Sequence, residues 1–211
     1  MLMRVLTNQV AMATRARFKI ADDPSTVQKM LAECYRAEVA RRFKTYCADN
    51  ATAERIAKVA KWLTGDYKPG LLMYGQTCGT GKSTMARAIC NLIGFLFDSP
   101  YGQERKRVHM VSAIDLVKFY TENPDRYANA KNSELLFIDD LGTELSNVKV
   151  YGNEFSPVTE LLYTRYDRLR WTIVTSNLTD EQIREKYGDR IDDRMREMFE
   201  RLHFQGRSYR L

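Results

Sequence analysis

The sequence predicts an α/β fold built on a buried parallel sheet, and three stretches carry that prediction. Residues 71–74 are apolar and open into Gly75-Gln-Thr-Cys-Gly-Thr-Gly81, then Lys82-Ser83-Thr84. After these, Met85, Ala88, Ile89, Leu92, Ile93 and Leu96 recur at helical spacing, so the stretch reads strand, loop, helix. Residues 135–138 are apolar and end in Asp139 and Asp140, and residues 171–176 form another buried run ending at Asn177. Each run delivers polar side chains at a strand's C-terminal end, where open parallel sheets bind ligands.

The first stretch has the composition of a phosphate cradle. Glycines accept dihedrals that side chains forbid, so the loop can turn several N–H groups inward while the next helix adds its positive N-terminal end. Gly75, Thr77, Cys78, Gly79, Thr80, Gly81, Lys82, Ser83 and Thr84 are the candidate phosphate-binding residues. Lys82 would reach the β and γ phosphates, and the Ser83 hydroxyl would ligate the magnesium that bridges them. The outer glycines, Gly75 and Gly81, stand one position further apart than the usual pattern has them. Either the loop carries an extra residue or Gln76 fills the first glycine's place. The plainer alternative is a glycine-rich turn before a core helix.

At 211 residues, 44% hydrophobic and 28% charged, the chain suits one globular domain with a modest appendage. The apolar run over 90–97 is too short for a membrane span, and residues 1–20 lack a signal-peptide layout; a cytosolic protein is expected. Cys34, Cys47, Cys78 and Cys90 have no CxxC spacing, which argues for reduced thiols and against zinc. Cys78 is either oxidation-sensitive, through the adjoining helix end, or simply a small loop residue. A net charge of +6 suits a polyanionic partner. Arg184, Arg190, Arg194, Arg196, Arg201, Arg207 and Arg210 concentrate it near the C-terminal end.

Residues before about 21 lack a sustained period and are expected to form a flexible arm. Ser25 with Gln28 reads as a capping box opening a helix. Its apolar stripe is Val27, Met30, Leu31, Cys34 and Val39, and its other face carries Arg36, Arg41, Arg42 and Lys44. That basic face is either solvated or docks a partner protein or nucleic acid. A second helix is expected over 52–64, stopped by Gly65, with Trp62 in the core or against an adenine. Residues 66–70 form a turn, 99–107 a surface loop, 108–111 a strand containing a structural His109, 114–120 a helix, and 123–132 irregular polar chain. Ser156 and Pro157 open a helix over 158–170 carrying Leu161, Leu162, Tyr166 and Leu169. Thr179 with Gln182 caps another helix, which Gly188 ends.

Asp139 can hold magnesium through its hydration shell, and Asp140 can orient or deprotonate an attacking water. Asn177 would hydrogen-bond the γ-phosphate and that water, or else serve only as a turn residue. Arg190 and Arg194 are four apart and share one helical face. Either Asp192 and Asp193 neutralise them locally, or an arginine projects into a neighbouring subunit's nucleotide. There a permanently charged, forked guanidinium would stabilise charge on the γ-phosphate.

With the phosphate loop, IDDLGTE, TSN, GDRIDDRM and a closing SYRL in that order, the sequence resembles the AAA+ ATPases of the DnaC/IstB group. These are bacterial and phage helicase loaders and the ATPase helpers of transposases. The resemblance covers residues 51–211. It implies a P-loop NTPase fold of AAA+ type, a three-layer α/β/α sandwich with sheet order 5-1-4-3-2, no separate lid domain, and ATP at subunit boundaries. Carried over, Lys82 and Ser83 are Walker A, Asp139 and Asp140 Walker B, Asn177 sensor 1, Arg190 the arginine finger with Arg194 as second candidate, and Arg210 a sensor 2 arginine. It also implies single-stranded DNA contact over 113–132, with Lys118 and Lys131 as candidates. Residues 1–50 are expected to be an arm and helix that dock a partner.

The expectation is therefore an oligomeric ATPase using ATP and Mg2+ that loads a replicative helicase onto single-stranded DNA. The rivals are a transposase helper, a P-loop kinase acting on a small molecule, and a nucleotide-gated scaffold with negligible turnover.

Overall fold

The computed structural model describes residues 17–97, 106–206, 208 and 209. Most of the expected arm, most of the 99–107 loop, and Arg210 lie outside the described residues. Chain order is α1 (Pro24–Arg41), α2 (Asn50–Thr64), β1 (Gly70–Tyr74), α3 (Lys82–Phe97), β2 (His109–Ser112), α4 (Ala113–Glu122) and α5 (Pro124–Asn132). There follow β3 (Leu135–Leu141), β4 (Val148–Val150), β5 (Asn153–Phe155), α6 (Pro157–Asp167), β6 (Trp171–Ser176), α7 (Asp180–Tyr187), α8 (Asp189–Met198) and β7 (Phe199–His203).

Five parallel strands form the main sheet in the order β2-β3-β6-β1-β7. The short strands β4 and β5 pair only with each other, as an antiparallel hairpin. Setting that hairpin aside and counting the main strands along the chain, the sheet reads 5-1-4-3-2. Successive strand residues face opposite sides. Leu71 and Met73 of β1 therefore join the core beneath α1, α2 and α3, while Leu72 joins the core beneath α4 to α8. Helices on both faces make three layers.

Helix α1 is sealed into the first of these cores by Val27 and Leu31, both at 0% exposure, each worth about 1.5–3 kcal/mol of burial. The described end of the expected arm also packs down. Ile20 is buried and donates its N–H to Leu63 O at 2.9 Å. The Arg17 guanidinium donates to Gly65 O and Trp62 O, and Phe18 meets Trp171 edge-on.

Several local expectations are corrected. Asp23, not Ser25, caps α1: its carboxylate accepts the N–H groups of Ser25 (2.8 Å) and Thr26 (3.2 Å), with Pro24 as first helical residue. A carboxylate outcompetes a hydroxyl at the positive end of a helix. Asp49 similarly starts α2 two residues before position 52. The polar segment 123–132 is not irregular. Asn123 caps it, Pro124 begins it, and burial of Tyr127 and Ala130 turns it into α5. Helix α6 ends at Asp167, and Leu169, expected on its apolar stripe, is instead exposed at positive φ (47°). The capping box of Thr179 and Gln182 and the stop at Gly188 are present as expected.

Candidate nucleotide-binding cleft

The phosphate loop runs between β1 and α3, and its glycines take the backbone angles that the composition suggested. Gly75, Gly79 and Gly81 have φ of 145°, 81° and 95°. A Cβ on Gly75 would lie 2.5 Å from Phe204 O, and one on Gly81 would lie 2.5 Å from the Tyr35 hydroxyl oxygen. The loop is thus fitted against the chain that follows β7 and against α1. The wider glycine spacing does not open it, because buried Lys82 donates Nζ to Gly75 O (2.7 Å) and Thr77 O (3.0 Å) and approaches Thr80 Oγ1 at 3.5 Å. An ammonium so placed can exchange carbonyls for phosphate oxygens.

The acidic pair stands opposite. Strand β3 changes register against β6 between Ile138 and Leu141, so that Asp139 and Asp140 oppose Thr175 alone. Such a bulge re-aims side chains where regular pairing would bury one of them, and Asp140 is accordingly at φ 55° and exposed. Thr175 repairs the ladder, donating its hydroxyl to Asp139 Oδ1 (2.6 Å) and accepting Asp140 N–H (3.0 Å). Ser83 Oγ donates to the same Asp139 Oδ1 at 2.8 Å, and Arg87 Nη2 approaches Oδ2 at 3.5 Å.

A cleft of about 430 Å³ lies between these groups and α1. Cys78, Gly79, Gly81, Lys82, Ser83, Thr84, Asp140 and Asn177 line the side of the glycine loop and the strand ends. Tyr35, Val39, Arg42, Lys44, Thr45, Tyr46 and Cys47 line the other, with Thr52 and Tyr209 between. The aromatic and aliphatic wall from α1 and the segment after it suits a base, and the basic residues at its rim suit phosphates. Trp62 is not part of this wall. It is buried against Trp171, with its indole N–H on Lys68 O at 2.9 Å, which is the core role.

Two braces of the loop were invisible as motifs. Buried Arg55 of α2 approaches Thr80 O at 3.4 Å and also donates to Gln205 O. Tyr209 donates its N–H to Gly79 O at 2.9 Å and its hydroxyl to Asp49. The closing SYRL stretch thus touches the loop through its tyrosine, a partner that reading the stretch for its arginine passes over.

The two candidate arginines of α8 have different surroundings. Neither Arg190 nor Arg194 lines the cleft. Arg194 stacks over Tyr163 and Tyr166, 5.0 and 5.3 Å from their ring centres, and donates to Arg190 O. Arg190 is exposed on the first turn of α8, with no ion pair among the described residues. Asp192 does not neutralise either one; it is buried and paired with Arg196 and Arg201. Of the candidate DNA-contacting lysines, Lys131 is ion-paired with Glu160 at 2.8 Å, and Lys118 is exposed. His109 is half-buried, and burial and then nearby Arg165 lower its pKa, which suits its structural place.

Among the described residues no three His, Cys, Asp or Glu side chains gather as a metal site. Magnesium on a triphosphate does not need such a cage, since it keeps several waters and takes one or two carboxylates besides the phosphates. A hydroxyl and a carboxylate converging at the mouth of the loop, as Ser83 and Asp139 do, fit that ion.

A glycine loop between β1 and a helix, an amide after the adjacent strand β6 and aspartates at the end of β3 beyond it are the arrangement of a P-loop fold. The fold is similar to that of several solved structures. The chain is similar to the crystal structure of DnaI (19% identity, TM-score 0.59, covering 84% of this chain and 93% of that one). It is similar also to a putative primosome component from Streptococcus pyogenes serotype M3 (18% identity, TM-score 0.56, 76% and 83%). A third likeness is to the replication initiator DnaA bound to AMPPCP and single-stranded DNA (19% identity, TM-score 0.52), where it spans 76% of this chain and 48% of that one. No family model matches the sequence, and no curated protein matches it. Among the described residues no helix is long and apolar enough to cross a membrane.

Proposed function

We propose that this protein is an ATP-dependent DNA replication factor of the helicase-loading kind. It binds ATP with Mg2+, assembles with its sites at subunit boundaries, and places a replicative helicase on single-stranded DNA. The observation that carries the nucleotide reading is the Ser83–Asp139 contact at 2.8 Å beside the Lys82 ammonium. The replication setting is supported by the AAA+ neighbours, which include DnaI, a putative primosome component, and a DnaA bound to AMPPCP and single-stranded DNA.

In this reading Lys82 and the loop N–H groups hold the β and γ phosphates, while Tyr35, Val39 and Tyr46 enclose the base. Ser83 and Asp139 would hold magnesium, which would supply charge neutralisation at the phosphates. Asp140 orients the attacking water and takes its proton, and Asn177 holds the γ-phosphate and water in line. Exposed Arg190 acts in trans on the neighbouring subunit's nucleotide, which explains its distance from the cleft of its own chain. The basic face of α1, with residues 1–50, contacts the helicase.

The test mixes Lys82→Ala with Arg190→Ala protein. Each alone is expected to be inactive, while the mixture regains ATP turnover, because one subunit supplies the site and the other the arginine. No recovery would refute shared sites. Capture of a hexameric helicase from host lysate supports loading, and capture of a transposase in its place would make the protein a transposition helper.

A further inference from the structure

We propose that Glu144 is a positioning residue for Arg190, holding the end of α7 so that the arginine on the next helix is aimed at the neighbouring subunit's phosphate. The proposal rests on the shared-site reading above.

Glu144 lies in the loop after β3, and its side chain is wholly shielded from solvent, at 0% exposure. A buried carboxylate persists only with partners, and those of Glu144 come from two elements. On its own loop it accepts Gly142 N–H at 2.8 Å. The same loop is tied to Asp140 O by the Thr143 hydroxyl (2.8 Å) and N–H (3.2 Å). From α7 it accepts the hydroxyl of Tyr187, the last residue of that helix, and faces Lys186 Nζ at 3.8 Å. Lys186 also donates to the Glu144 carbonyl at 2.8 Å.

The two sides differ in rigidity. Strand β3 lies inside the sheet, paired on both edges. Helix α7 has eight residues and buries only Ile183 among them, so its C-terminal end depends on the contacts to Glu144. Gly188, at φ 83°, turns the chain straight into α8, and Arg190 is the second residue of that helix. Ile191 and Asp192, the third and fourth residues of α8, are buried with Met195 and Met198, so only Asp189, which pairs with Arg184 of α7, and Arg190 are left to follow α7 and Gly188. Loss of the Tyr187 contact therefore displaces Arg190 and leaves Asp140 on its strand. Burial, and then Glu144 itself, push the Tyr187 phenol far above the usual tyrosine value, so it remains a donor at every working pH.

Two variants test this. Tyr187→Phe removes one hydroxyl and leaves Glu144 on Gly142; Glu144→Gln keeps one acceptor and removes the charge. In each, kcat is expected to fall roughly ten- to hundredfold, the size of an ångström-scale misplacement, with KM for ATP little changed. Mixed with Lys82→Ala, which offers an intact arginine, Tyr187→Phe should regain turnover; mixed with Arg190→Ala it should not. Recovery with Arg190→Ala in place of Lys82→Ala, or an unchanged kcat in both variants, overturns the proposal. Failure of the control pair, Lys82→Ala with Arg190→Ala, would instead remove the shared-site reading, and this proposal with it.

Discussion

Ser83 donates its hydroxyl to Asp139 Oδ1 at 2.8 Å, joining the first turn of α3 to the end of β3. Thr175 donates to the same oxygen at 2.6 Å, so the carboxylate is fixed before any ligand arrives. Sites held in place beforehand lose less freedom on binding.

Ser83→Ala should therefore leave Asp139 in position while removing one oxygen from the magnesium site. The magnesium-dependent part of ATP affinity is expected to fall by about 1.4 kcal/mol or more, a tenfold change in Kd. Titration with and without a chelator reads this difference. Equal affinity for wild type and variant in magnesium would sink it.

Gly81→Ala should damage both stability and binding. It forces a side chain into φ 95° and sets a Cβ 2.5 Å from the Tyr35 hydroxyl oxygen, a strain of about 1–3 kcal/mol. Adding Tyr35→Phe removes the crowding oxygen but not the backbone strain. Thermal denaturation should accordingly show only partial recovery in the double variant.

The two arginines of α8 should separate cleanly. Arg194→Ala loses its stacking on Tyr163 and Tyr166, costing stability by about 0.5–2 kcal/mol. Arg190→Ala should leave the melting temperature unchanged and lower turnover by about a thousandfold. A melting shift for Arg190→Ala, with turnover intact, would reverse the assignment.

Thiol labelling should report occupancy of the cleft. Cys47 and Cys78 are exposed and line it, whereas Cys90 is buried and burial pushes its thiol up to about 12. Two fast-reacting thiols are expected at neutral pH, both slowed by ATP with magnesium, while Cys90 stays unlabelled until the protein unfolds. Mass spectrometry after brief alkylation measures each position.

Acid should loosen the C-terminal brace. Burial raises the Asp49 pKa, but hydrogen bonds from Tyr209 and Thr52 outweigh this and hold it below the usual aspartate value. A depressed carboxylate stabilises fully above its unfolded value and loses that contribution as pH falls through the folded one. Exchange of the Tyr209 N–H, bonded to Gly79 O, should accelerate only below about pH 4, beyond the intrinsic pH effect. Asp49→Asn should exchange faster already at neutral pH.

The sheet and the loop at its edge were legible because they rest on short-range rules. Apolar runs of strand length, glycines before Lys82, and polar residues closing the runs at Asp139, Asp140 and Asn177 report themselves locally. Where the local signal was ambiguous, packing decided. The segment 123–132 looks polar throughout, yet two buried side chains among its residues make it a helix. The hairpin β4–β5 carried no recognised signal, since its strands are only three residues each.

By itself, then, the sequence determined the class of fold and the glycine-loop side of the cleft, for these depend on residue types at fixed spacing along one segment. Only the tertiary structure decided what faces them. The wall from α1, the braces Arg55 and Tyr209, the stacking of Arg194 on Tyr163 and Tyr166, and the buried Glu144 between β3 and α7 are contacts between distant parts of the chain. Which surfaces meet is a property of the packed whole, fixed by the burial of apolar faces on both sides of the sheet, and no single stretch encodes it.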